Sequence, residues 1–148
     1  AWEADLMLGG QGGGALLTVV ERKSRWTCMA RWPSKQSEGV AEALINLLRP
    51  YKKQVKIVTL DNGNEFAQHV NVSKALQASV YFAHPYCAWQ RGLSENTNGL
   101  LRQYFPKGTN FKIIRQAKLD QIQKRLNQRP RKGLEFLTPQ HIFQPERS

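Results

Sequence analysis

The chain has 148 residues, 41% of them hydrophobic and including four Trp and six Phe, enough to bury one domain core and too apolar for a disordered tail. No apolar run approaches the ~20 residues of a membrane helix, and two cysteines, Cys28 and Cys87, cannot build a disulfide framework. A formal net charge of +11 points to a polyanionic partner such as nucleic acid, the alternative being a merely soluble basic surface.

The charge is uneven. Residues 1–90 carry ten Lys/Arg against seven acids and residues 91–148 twelve against four, +3 against +8, so the C-terminal part is the expected nucleic-acid face. The cysteines read as ordinary semi-buried thiols in a reducing cytosol. His69, His84 and His141 lack the spacing of a zinc site. The first residue is Ala1 and the text begins almost inside a strand, so the chain reads as a fragment or excised domain.

Trp2 to Leu8 alternates as a strand does, with Ala4, Leu6 and Leu8 on one face and Glu3, Asp5 and Met7 on the other. Gly9-Gly10-Gln11-Gly12-Gly13-Gly14 follows. It lacks the Gly-Lys-Ser/Thr and helix of a phosphate-binding loop and leads into strand-like Ala15 to Val20, so it reads as a flexible hairpin loop. Glu21-Arg22-Lys23-Ser24 makes a second tight connection, and Arg25 to Arg31 a third strand. Three strands on short loops predict an antiparallel meander.

Ser34 or Ser37 can cap the next helix, in which Val40, Ala43, Leu44, Leu47 and Leu48 form one apolar stripe. Pro50 closes it. Val55 to Leu60 is the fourth strand, reached through a helix and so parallel to its neighbour. Asp61-Asn62-Gly63 is turn chemistry. Phe66, Val70 and Leu76 suggest a short, less regular helix, and Val80 to Phe82 a fifth strand. A helix from about Gln90 to Tyr104 comes next, buried through Leu93, Leu100, Leu101 and Tyr104. Leu119, Ile122 and Leu126 mark a last long helix, ended by Arg129-Pro130-Arg131-Lys132. Thr138-Pro139 opens a terminal turn. The order predicts one mixed α/β domain.

Three carboxylates stand out. The chain has only three aspartates, and Asp5 and Asp61 lie on or at the end of predicted strands, where aspartate is depleted. Glu95 sits early on a helix, 33 residues lying between it and Asp61. If the fourth strand lies beside the first, Asp5 and Asp61 approach across one strand spacing, ~4.8 Å, and Glu95 can complete the cluster. Carboxylates so placed suit magnesium, which is held by few carboxylates plus substrate phosphate. A pair of such ions can serve an in-line displacement at phosphorus. On these residues alone the alternative is three unrelated carboxylates: a turn cap, a surface aspartate and a first-turn helix acid.

Trp2-Glu3-Ala4-Asp5-Leu6, Thr59-Leu60-Asp61-Asn62-Gly63-Asn64-Glu65-Phe66, and Trp89-Gln90-Arg91-Gly92 with Glu95-Asn96, Asn98-Gly99-Leu100-Leu101-Arg102-Gln103-Tyr104-Phe105-Pro106-Lys107-Gly108 together resemble the catalytic domain of a bacterial insertion-sequence transposase. The match is to the IS30 family, within the wider group that includes retroviral integrases. Arg129-Pro130-Arg131-Lys132 and Thr138-Pro139 with Phe143 resemble that family's C-terminal end. Ala4 stands where the family carries glycine, and Leu93-Ser94 where it carries Thr-Asn.

The resemblance implies an α/β, ribonuclease-H-like fold: a mixed five-stranded sheet, three antiparallel strands extended by parallel ones and flanked by helices. It implies a catalytic, metal-binding triad of Asp5, Asp61 and Glu95 with two Mg²⁺ ions, for which Mn²⁺ would substitute. It further implies nicking of DNA at element ends by water, strand transfer of the freed 3′-hydroxyl to target DNA, a homo-oligomer assembled on DNA, and a cytoplasmic, nucleoid-associated protein with no membrane partner. Arg91, Arg102 and Lys107 flank the Glu95 helix and are expected on DNA phosphates. The family's N-terminal helix-turn-helix has no counterpart in this chain. Competing readings are a ribonuclease-H-type nuclease, with Glu38 or Glu42 as a further carboxylate, and a non-catalytic DNA-binding relic.

Overall fold

Strand β1, Trp2–Leu8, is the middle of a five-stranded sheet in the order β3-β2-β1-β4-β5. The computed structural model describes residues 1–10, 13–32, 37–60, 69–82, 92–131 and 134–143. Strands β2 (Ala15–Glu21) and β3 (Thr27–Trp32) continue from β1 as antiparallel hairpins, with Asp5 opposite Thr18 and Thr18 opposite Met29. Strands β4 (Ile57–Leu60) and β5 (Ser79–Phe82) are parallel on the other side, with Ala4 opposite Leu60 and Leu60 opposite Phe82. The meander and the parallel extension are as the sequence predicts, and β4 lies beside β1, the condition under which Asp5 and Asp61 could approach each other.

Among the described residues the α-helices are α1 (Ser37–Leu48), α2 (His69–Leu76), α3 (Gly92–Leu101), α4 (Gln116–Asn127) and the short α5 (Pro139–Ile142). Helices α1 and α2 cover one face, packing Ala41, Leu44, Leu48, Val72 and Leu76 on Trp2, Ala4, Leu17, Val19, Val58 and Leu60. Helix α1 has no basic residue in its last turn. The ~0.3–1 kcal/mol such a cation would add is small beside the ~1.5–3 kcal/mol from each fully buried leucine, Leu44 and Leu48. Pro50 ends it by turning the chain into a 3₁₀ stretch, Arg49–Gln54.

The opposite face is closed by α3 and α4, which bury Leu101, Leu119, Ile122 and Leu126 with Met7, Leu16, Met29, Phe105 and Phe111. Thus β1 is covered on both sides, and Glu3 and Asp5 are only 2% and 7% exposed. The outer edge of β3 is covered by side chains of α4. Asn127 accepts from the Thr27 N–H at 2.8 Å and donates to the Thr27 carbonyl at 2.9 Å, while Gln123 accepts from the Met29 N–H at 3.0 Å. Four residues apart on one helix face, these two amides take the place of a neighbouring strand and blunt the edge.

Several details differ from expectation. Strand β3 starts at Thr27 because Arg25 has φ 64, in the left-handed region that no strand residue adopts. Helix α3 ends at Leu101, and the Tyr104 N–H closes a tighter turn onto the Leu101 carbonyl. The glycine segment is docked. The Gly10 N–H donates to the Thr109 carbonyl at 3.0 Å, and the Phe111 N–H donates to the Gly13 carbonyl at 2.8 Å. A Cβ on Gly10 would stand 2.7 Å from the Gly108 carbonyl oxygen, so the close approach of two backbones is what these glycines permit.

Candidate active site

Asp5 is placed by the middle of β1, on the face that α3 covers. Its Oδ1 accepts from the Leu6 N–H at 2.9 Å, and its Oδ2 accepts from Asn98 Nδ2 at 2.9 Å. The Thr18 hydroxyl, opposite on β2, donates to the Asp5 carbonyl at 3.4 Å. A carboxylate in this position cannot swing freely: one oxygen is fixed by its own strand and the other by a helix 93 positions away in sequence.

Helix α3 sits where it does because Thr97 and Leu101, four residues apart and 1% and 0% exposed, face the sheet. Asn98 lies beside them. Position 95 is three residues before Asn98, one turn towards the N-terminus on the same side of the helix. The backbone at Glu95 is part of α3, and its side chain lies outside the described residues. Asp61 also lies outside them. The chain reaches it from Leu60, whose register partner Ala4 immediately precedes Asp5.

The three basic residues expected on phosphate divide differently. Arg91 is outside the described residues. Arg102 is half-buried, and its Nη1 donates to the Phe105 carbonyl at 3.3 Å, satisfying the turn that follows α3. A guanidinium has five N–H donors, so this one bond leaves others for a ligand. Lys107 is exposed in the turn against which the glycine hairpin docks. Of the carboxylates considered for a ribonuclease-H-type nuclease, Glu42 is exposed on α1, the helix packed on the Ala4 side of β1 and so across the sheet from Asp5. The Glu38 side chain lies outside the described residues.

Sequence reading missed Asn98 as the partner of Asp5. The signal was present, since Asn98 is three residues from Glu95 on one helix, but nothing local says which strand that helix would meet. It also missed Glu3, which is buried on the same strand face two residues from Asp5 and within 3.8 Å of the Arg22 guanidinium.

Comparisons with known proteins converge on one family. The integrase core domain model matches residues 1–88. The chain is 39% identical over 141 residues to the transposase of insertion sequence element IS4351 of Bacteroides fragilis, covering 95% of this chain and 43% of that protein. It is 42% identical over 144 residues to the transposase InsI of insertion sequence element IS30A of Escherichia coli (strain K12), covering 97% of this chain and 37% of that protein. The chain therefore spans about two-fifths of the length of these relatives. Among solved structures, the catalytic core domain of BIV integrase superposes with a TM-score of 0.69 at 22% identity, covering 96% of this chain and 91% of that one. A chain of the simian T-cell lymphotropic virus intasome in complex with PP2A regulatory subunit B56 gamma superposes with a TM-score of 0.74 at 17% identity, covering 99% and 57%. The fold is that of a retroviral integrase catalytic core, ribonuclease-H-like.

Proposed function

We infer that this chain, which belongs to the integrase core domain family, is the catalytic core of an IS30-type insertion-sequence transposase. It acts on DNA as a polynucleotidyl transferase, nicking at element ends and joining the freed 3′-hydroxyl to target DNA. The observation that carries the reading is the hydrogen bond from Asn98 to Asp5, which seats the helix bearing position 95 against the strand bearing Asp5. The pairing of Ala4 with Leu60 supports it, because each is followed directly by an aspartate of the triad.

The donor set of Asp5, Asp61 and Glu95 suits a hard divalent cation such as Mg²⁺, with Mn²⁺ as substitute. Asp5 is buried, and hydrogen bonds from Leu6 and Asn98 orient its carboxylate. The three carboxylates would hold one or two such ions, which supply positive charge to the attacking and leaving oxygens of a displacement at phosphorus. The remaining work belongs to the chain. Asn98 keeps one Asp5 oxygen from rotating, and Thr97 and Leu101 keep α3 pressed on the sheet. Arg91, Arg102 and Lys107 would hold backbone phosphates in register with the carboxylates, and joining two element ends would require more than one copy of the protein on DNA.

The test is Asp61→Asn, assayed for Mg²⁺-dependent nicking of DNA carrying element ends. Asparagine keeps shape and removes charge. Nicking should fall by at least about 100-fold, as loss of an electrostatic stabiliser does, with DNA affinity nearly intact. Asp120→Asn serves as control, because Asp120 is exposed and accepts from Gln116 Nε2 at 2.9 Å on the surface of α4. Nicking by Asp61→Asn within a few-fold of the parent would sink the assignment. Preferential cutting of an RNA–DNA hybrid would place the chain with ribonuclease-H-type nucleases.

A further inference from the structure

Away from Asp5, the fold gathers arginines from two distant segments. Arg25 closes the β2–β3 connection, and Arg129 and Arg131 follow α4. The connection is pre-organised by Glu21, whose carboxylate accepts from the Lys23 N–H at 3.1 Å, the Ser24 N–H at 2.9 Å and the Ser24 hydroxyl at 3.0 Å. Asn127 exchanges two hydrogen bonds with the Thr27 backbone, and the Thr27 hydroxyl donates to the Arg25 carbonyl at 3.1 Å. Arg129 is two residues beyond that tie, and Arg131 Nη2 donates back to the Leu126 carbonyl at 3.1 Å.

Arg131 is 6% exposed, and its Nε has no acceptor among the described residues. Burial lowers its pKa, and the charges of Arg129 and Arg25 lower it further. The two ion pairs found among the described residues, Ala1–Glu21 and Arg22–Glu3, involve none of the three. A cation at the end of α4 is explained for Arg131 by the helix carbonyl it caps. That leaves Arg25, half-exposed, and Arg129, exposed, converging on a charge that repels them. An anion among them would turn the repulsion into attraction.

We propose that Arg25, Arg129 and Arg131 form a phosphodiester-binding site for the backbone of duplex DNA, apart from the carboxylate centre. Arg25 and Arg129 make the contacts, and Arg131 adds charge from beneath. In the β1–β2 register Asp5 is opposite Thr18 and Trp2 opposite Glu21. The connection is therefore about 10 Å along the strand from Asp5, at ~3.4 Å per residue. That is too far to share one phosphate and near enough for one duplex to touch both places. The proposal rests on the reading of DNA as substrate.

The experiment measures affinity of the chain for a short random-sequence duplex across a salt series, without divalent metal, for the parent, Arg129→Gln and Arg25→Gln/Arg129→Gln. The log–log salt slope should flatten by about one unit in the single variant and about two in the double, with weaker binding to all sequences alike. Inorganic phosphate should raise the parent's melting temperature more than chloride at equal ionic strength, and the double variant should lose that difference. Slopes equal to the parent's in a folded single variant would overturn the site, and exposed Arg129 makes that variant safe to fold. A parent that does not bind duplex at all would overturn the DNA reading as well. Because no metal is present, the outcome is independent of the nicking assay on Asp61→Asn.

Discussion

Asn98 Nδ2 donates to Asp5 Oδ2 at 2.9 Å, so helix α3 is fastened to strand β1 through a carboxylate oxygen. The Asn98 amide oxygen, Oδ1, is buried with no donor among the described residues. An amide retained in so uneven a setting costs stability and is best explained by what it does to Asp5. Under the proposed function, Asn98 is a positioning residue.

Asn98→Ala should lower Mg²⁺-dependent nicking by about 10–100-fold, the usual effect of removing a group that orients a metal-holding carboxylate. Raising the Mg²⁺ concentration should recover part of the loss, which a merely structural role would not allow. Asn98→Asp should do worse than alanine, because it sets a second negative charge against Asp5. Alanine and aspartate variants with equal, metal-independent losses would remove Asn98 from this role.

Asn127→Leu should destabilise the fold. It leaves the Thr27 N–H and carbonyl buried without the partners they now have at 2.8 and 2.9 Å, and each orphaned group costs about 1–3 kcal/mol. A loss on the order of 2–4 kcal/mol in urea unfolding is expected. Lys118→Ala, on the exposed surface of the same helix, should stay within about 0.5 kcal/mol of the parent. Equal effects would mean that α4 does not cover the edge of β3 as described.

Two glycines predict opposite signs. At Gly99, exposed on α3, a new Cβ meets nothing within 4 Å. Gly99→Ala should therefore raise stability by about 0.5–1 kcal/mol, the helix penalty of glycine relative to alanine. At Gly10 the new Cβ would stand 2.7 Å from the Gly108 carbonyl oxygen, and Gly10→Ala should lower the melting temperature by undocking the hairpin. A stabilised Gly10→Ala protein would refute the docking.

Cys28 should be chemically silent in the folded protein. It is 2% exposed, and burial pushes its thiol up to about 11, so almost no thiolate exists at neutral pH. Peptide mapping after iodoacetamide treatment at pH 8 should find Cys28 unmodified unless denaturant is added. Ready labelling under native conditions would show that the β2–β3 core opens easily.

The sequence by itself determined the order of the elements, the antiparallel meander and its parallel extension, and the α1 stripe through Leu44 and Leu48. These features are written in near-neighbour periodicity, two for a strand and 3.6 for a helix. Residue chemistry singled out Asp5 and Asp61 among the three aspartates because a strand or its end is no ordinary place for one, and the resemblance to a family followed from ordered short motifs. What only the tertiary structure decided is which polar groups meet. Asn98 on Asp5, Asn127 on Thr27, and Arg25 near Arg131 join positions far apart in the chain. A side-chain amide or guanidinium carries no address for its partner; the partner is whichever unsatisfied group stands opposite once apolar burial has seated the helix on the sheet. The same cause put Glu3 and Asp5 in the interior. Alternation along β1 showed two faces, but only the seating of α3 and α4 over Met7, Leu16 and Met29 made both of them buried.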